Sequence, residues 1–307
     1  MKFSDTTKGF LLAFVSVIAV SNVYIFSKAA LTEVEIAQFG LYWFGLGLVW
    51  VLIFAWFKKT LQLVKIITLR SYIILAILGL NQVFGTYFFF KAIHTISNPT
   101  IVSFISNISP ALVITLSFLI LKERFSKIEF VGIILALLGA FVISYKGNSG
   151  VSMFINGAQF ILFSSFFAAT NAIIIKKNIK IINPIILTIS RSLFLLIFSL
   201  ATVLYLNLSF NIPTTALKNI FIGSLLGPFL AVISGYISLK YMPLSHKAII
   251  MSTKGLFVLF GAYLYFGKFP SGIAITGGLI TIIGVLLIAY GKIKKQKKAV
   301  KNSLSKL

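Results

Sequence analysis

Apolar residues occupy this chain in long blocks separated by short polar connections. The blocks fall at Phe10–Phe26, Ile36–Phe57, Ser71–Phe90, Thr100–Leu121, Phe130–Tyr145, Val151–Ile175, Ile181–Leu206, Ile220–Leu239, Ala248–Phe266 and Ile273–Tyr290. At a rise of about 1.5 Å per residue, such blocks reach across or nearly across a hydrocarbon layer about 30 Å thick. A membrane β-strand would instead alternate apolar and polar residues over about ten positions. Stretches such as Ile133-Ile134-Leu135-Ala136-Leu137-Leu138 and Ile282-Ile283-Gly284-Val285-Leu286-Leu287 show no alternation. The pattern predicts an all-α membrane protein with about ten transmembrane helices.

Composition agrees, because 59% of the 307 residues are hydrophobic and only 11% are charged, more apolar surface than a soluble domain can bury. The formal charge of +23 invites a nucleic-acid reading, but the positions of the cations exclude it. They gather in alternate connections, at Lys58, Lys59, Lys65 and Arg70, at Lys122, Arg124 and Lys127, at Lys176, Lys177 and Lys180, and from Lys292 to Lys306. The intervening connections hold only Lys28, Lys91, Lys146, Lys218 and Lys268. The positive-inside rule then places both termini in the cytoplasm of a multi-pass protein, expected in a bacterial plasma membrane. Phe10–Phe26 lacks a small-x-small cleavage site and reads as a retained first helix rather than a signal peptide. With no cysteine, disulfides, Cys-ligated metals and thiol catalysis are excluded. The basic tail reads as disordered chain, either lying beside anionic lipid or serving only to set the topology.

The two halves resemble each other. Ala19-Val20-Ser21-Asn22 matches Ala168-Ala169-Thr170-Asn171, Ser16 falls on Ser165, and Gly132 and Gly139 fall on Gly277 and Gly284. The division is a cytoplasmic N-terminus at 1–8, a five-helix repeat at 9–147, a second at 148–291 and the tail at 292–307. An odd number of helices per half inverts the second repeat, a plan common among secondary transporters. The glycines read as close-packing surfaces, either within one chain or in a homodimer.

Two halves, each ending in a helix-loop-helix like Pro110, Lys122-Glu123-Arg124-Phe125, Gly132 and Gly139, resemble the EamA-type transporters of the drug/metabolite transporter superfamily. In the second half, Gly255 and Lys268 stand at the proline and glutamate positions. The resemblance covers roughly residues 9–291. It implies gradient-driven export or uptake of small organic molecules, such as amino acids and related metabolites, without ATP. The expected partners are a small-molecule substrate and the lipid bilayer, with no nucleic acid.

Candidate chemistry is sparse. None of Asp5, Glu33, Glu35, Glu123 and Glu129 lies in a span core, which favours facilitated diffusion or exchange over carboxylate-based proton coupling. There is no Walker loop or HExxH, and the histidines are His94 and His246 alone, so ATPase and metallohydrolase readings have no support, and no cofactor or metal is expected. Two cations fall inside spans, Arg191 and Lys254, each expected to face a wet cavity or an anionic ligand. The alternatives are a structural link from Arg191 to neighbouring helices and snorkelling of Lys254. Thr100, Ser103, Asn107 and Pro110 share one helical face, with Pro110 as a helix break that frees a carbonyl. That face lines a cavity or bonds a neighbouring helix. Asn22 and Asn171 read as substrate contacts or helix glue. Asn81, Gln82, Tyr87 and Trp43 complete the candidate substrate site, with an interface anchor as the alternative for Trp43. A receptor or embedded enzyme is the competing class. Lys254 could carry a chromophore as a Schiff base, but no span acid is present as its counter-ion.

Overall fold

Helices order the whole chain wherever a computed structural model describes it, at residues 5–60, 62, 68–121, 126–144 and 155–304. Among these residues there is no strand. The connection holding Lys122, Glu123 and Arg124 lies outside them, as do Lys65, Lys146 and the start of the sixth predicted block at 151–154. The elements are α1 (Asp5–Leu31), α2 (Ile36–Phe57), α3 (Leu69–Thr95), α4 (Pro99–Ile105), α5 (Ile108–Leu121), α6 (Lys127–Ser144) and α7 (Ala158–Asn178). They continue with α8 (Pro184–Tyr205), α9 (Thr214–Ser224), a π-helical segment (Leu225–Ala231), α10 (Val232–Tyr241), α11 (Leu244–Ser252), α12 (Lys254–Phe266) and α13 (Gly272–Leu304). Among the described residues, six stretches are long and apolar enough to cross a membrane: Thr7–Leu31, Ile36–Phe57, Leu69–Thr95, Ala158–Asn178, Pro184–Tyr205 and Thr214–Tyr241. Ile250–Phe266 and Gly272–Ile288 are shorter apolar helices.

Their outward faces carry large bare side chains, among them Trp56, Phe57, Phe84, Phe130 and Ile197. In water these would be costly; against lipid they are the expected surface. The same Asn-Pro start opens α4 and α8. Asn98 accepts from Thr100 N–H at 2.9 Å, Asn183 accepts from Ile185 N–H at 2.9 Å, and Pro99 and Pro184 take the first helical position, where a missing N–H costs nothing.

The fourth predicted block is not one helix. It breaks at Ser106 and Asn107, one turn before Pro110, which is the third residue of α5. Proline has no N–H for the Ser106 carbonyl four residues back, and Ser109 N–H takes that oxygen at 3.1 Å instead. The ninth block breaks at Thr253 without a proline. In the eighth block, Pro228 sits inside the π-helical segment, which relieves the missing bond by widening the turn. The expectation of a disordered tail is corrected, because α13 continues to Leu304. After Gly291 the tail sequence holds Lys, Gln and Ala and neither glycine nor proline, so nothing in it terminates the helix.

The packing exchanges when the halves are exchanged. Helix α1 packs on α10 as α7 packs on α3, α12 packs on α1 as α5 packs on α7, and α4 packs on α12 as α11 packs on α5. The equivalent helices α6 and α13 cross antiparallel. A Cβ at Gly132 would lie 2.5 Å from Gly284 O, and one at Gly139 would lie 2.6 Å from Gly277 O. The four glycines thus meet within one chain, and a homodimer would need a different surface.

Two lysines repeat the exchange at opposite ends. Lys28, near the end of α1, donates to Ile93 O at 2.9 Å and His94 O at 3.0 Å near the end of α3. Lys176, near the end of α7, donates to Leu239 O at 2.7 Å and Met242 O at 2.9 Å near the end of α10. Each lysine serves carbonyls that a helix C-terminus leaves without partners.

Candidate functional site

Both helix breaks open onto one cavity. It has a volume of about 280 Å³ and is walled by α1, α2, α3, α7, α8, the π-helical segment, α10 and the starts of α5 and α12. A second cavity of about 290 Å³ shares Gln82, Ser109, Asn171, Arg191 and Lys254 with it and continues between α7, α10 and α11 past Tyr236 to Lys247. A third, of about 220 Å³, lies between α2, α3 and α8 and meets the first at Thr86 and Phe90.

Arg191 and Lys254 both line the joined first and second cavities. Arg191 Nε donates to Gln82 Oε1 at 3.1 Å, and its guanidinium carbon lies 5.8 Å from the centre of the Phe44 ring. Gln82 Nε2 in turn donates to Tyr236 Oη at 3.2 Å. Lys254 opens α12 and is buried, with Nζ donating to Asn107 Oδ1 at 2.9 Å. It does not snorkel. Neither cation faces a carboxylate among the described residues. Asp5 pairs with Lys8 at 3.0 Å, Glu33 accepts from the Thr215 hydroxyl, Glu35 caps α2, and Glu129 accepts from Ser126 N–H at 2.6 Å. None of these acids lines the first or second cavity.

The remaining candidates divide. Asn171 and Trp43 line the first cavity, and Trp43 is buried against Phe39 and Phe90, so it is no interface anchor. Tyr87 lines only the third cavity. Asn22 turns away from the site and donates to Ile18 O of its own helix at 2.9 Å. Asn81 ties α3 to α7 through Phe167 O at 3.1 Å and Thr170 Oγ1 at 2.9 Å. Thr100 and Ser103 are fully buried off the cavity; Ser103 donates to Thr100 O at 2.7 Å, and Thr100 Oγ1 has no partner. Asn107 is fully buried and bridges the two breaks, accepting from Lys254 while its Nδ2 donates to Ser252 O at 3.1 Å. It positions Lys254 rather than lining the cavity.

Several lining residues escaped the sequence reading. Tyr24 lines the first cavity and exchanges a 2.9 Å hydrogen bond with Ser106. Ser109, Ser164 and Pro228 line it too. Ser165 also lines it and did carry a signal, as the repeat counterpart of Ser16. Pro228, a proline in mid-block, was the other available mark.

The arrangement can hold an anion. It offers a guanidinium fork, an ammonium and the N-terminal ends of the half-helices α5 and α12, where the helix dipoles leave partial positive charge. Aromatic walls from Tyr24, Trp43, Phe89 and Phe90 suit an apolar body.

The model of the EamA-like transporter family matches residues 7–145 and again residues 155–290. A curated protein of Archaeoglobus fulgidus described as an uncharacterized transporter is 23% identical over 186 residues, or 61% of this chain. The matched stretch spans 59% of that relative's length. A solved crystal structure 15% identical in sequence superposes with a TM-score of 0.69, over 94% of this chain and 99% of the other, a likeness of fold.

Proposed function

The chain belongs to the EamA-like transporter family, and from that membership we propose that this multi-pass membrane transporter moves carboxylate-bearing organic solutes, amino acids among them, by alternating access. In this reading the ten apolar blocks are ten spans in two inverted five-helix repeats, and the joined cavities are the substrate path. One observation carries it: Arg191 and Lys254 line the same cavity with no carboxylate opposite among the described residues. In a low-dielectric wall such a pair attracts anions strongly. Transport without ATP follows from the family and from the absence of a nucleotide motif.

The test is competition for binding by matched acids, amides and amines built on phenyl and butyl bodies: benzoate, benzamide and benzylamine, and butyrate, butyramide and butylamine. The acids should win. Arg191→Gln and Lys254→Gln should each weaken acid binding by about 1.5–3 kcal/mol, the scale of a charge-assisted hydrogen bond, with the amides unaffected. Amines competing best, or an unchanged preference in both variants, would make the two cations structural.

Orientation is tested separately. Reporters fused after Leu307 and inserted beside Lys177 should both read cytoplasmic in a bacterial plasma membrane. An external signal at both sites would turn the topology over.

A further inference from the structure

We infer that the transporter takes up a proton together with its anion, and that Lys254 Nζ is the atom that carries it. The inference rests on the anion-site reading above. Lys254 is 6% exposed, and the partner of its Nζ is a neutral amide oxygen, Asn107 Oδ1, at 2.9 Å. The titratable groups on the walls of the joined cavities are Tyr24 on α1, Arg191 on α8, Tyr236 on α10 and Lys247 on α11. Helices α2, α3 and α5 present no titratable side chain to these two cavities, and α7, whose Lys176 is turned to the carbonyls of Leu239 and Met242, presents none either. Helix α4, which packs on α12, contains no titratable residue. The buried acid of the first half, Glu129, is spent on Ser126 N–H.

An ammonium at this position therefore bears the cost of desolvation with no carboxylate among the described residues to offset it. A bound carboxylate supplies what is missing. Proton and anion then favour each other's binding, as any two ligands with a mutual coupling energy must. Arg191 does not take this part, because a guanidinium keeps its charge at every working pH. The step balances simply: the Nζ lone pair accepts one proton from the bulk solution on the entry side, relayed through cavity water that is left unchanged, one carboxylate binds beside it, and both leave on the other side. Net charge carried per cycle with a monocarboxylate is zero. Coupling of this kind needs no acid in a span.

The experiment is calorimetry on the purified full chain, with benzoate and butyrate titrated near neutral pH in Bis-Tris, imidazole and Tris, none of which carries an anionic group to compete for the site. Both acids are ionised there, so the dependence of the heat on buffer ionisation enthalpy counts protons taken up by the protein. Wild type should take up between about half and one proton per acid bound, more at pH 8 than at pH 7. Lys254→Arg, which keeps a permanent cation, should bind the acids with proton uptake near zero, and its elution and melting beside wild type confirm that it is folded. Acid binding without proton uptake in wild type overturns the inference and leaves the anion site standing. Equal uptake in Lys254→Arg assigns the proton elsewhere and also overturns it. No acid binding in wild type removes the anion site itself.

Discussion

An Asn107→Asp variant is expected to bind acids about 100-fold more weakly than wild type, a loss of about 2.7 kcal/mol. The side chain at 107 is held on both sides, accepting from Lys254 Nζ at 2.9 Å and donating to Ser252 O at 3.1 Å, and it is fully buried. Exchanging its amide for a carboxylate places a fixed anion where the ammonium points. Lys254 is then neutralised from within, and an incoming carboxylate meets a like charge instead of a free cation. Asn107→Ala is the companion. It leaves Lys254 able to take up its proton when an acid binds, though its Nζ is less well placed, so acid binding should fall by less than about tenfold. Titration of benzoate into both folded variants checks the pair. Comparable affinities for the two would show that charge at Lys254 does not govern the site.

Gly284→Val is expected to cost more than about 3 kcal/mol, enough to leave little monodisperse protein in detergent. A Cβ there would lie 2.5 Å from Ala136 N and 2.6 Å from Gly132 O, so backbone, not a flexible side chain, blocks it. Relief requires α6 and α13 to separate along their whole crossing. Gly272→Ala in the same helix serves as control, since nothing lies within 4 Å of its Cβ position, and its effect should stay within about 0.5 kcal/mol. Thermal melts of the two variants measure the difference. Equal melting would mean that the helices do not approach as described.

The apolar blocks were legible because lipid demands an uninterrupted hydrocarbon-matched run, and α2 matches its predicted block, Ile36–Phe57, at both ends. The breaks were not. Pro110 marked the fourth block, but its effect falls one turn upstream, and the matching break at Thr253 has no proline at all. Cations in spans were the strongest pointers to the site, because an ionisable group in hydrocarbon needs a wet or polar surrounding. Hydroxyls and amides were poor ones. Ser103 and Asn22 bond to carbonyls of their own helices at 2.7 and 2.9 Å, an option open to any such residue, so their helical face alone did not decide between cavity and packing. Tyr24 and Tyr236 gave no signal, since an aromatic in an apolar block reads as lipid-facing or core until its hydroxyl partner is known.

The two lysine joints have an uneven genetics. Lys28 and Lys176 end on main-chain oxygens of residues 93, 94, 239 and 242, and those oxygens persist whatever side chains stand there. A mutation at the receiving end cannot delete the acceptor; it can only shift it. Inheritance can abolish either joint solely at the lysine codon, so the four receiving positions are free to drift as far as their packing allows while positions 28 and 176 are not.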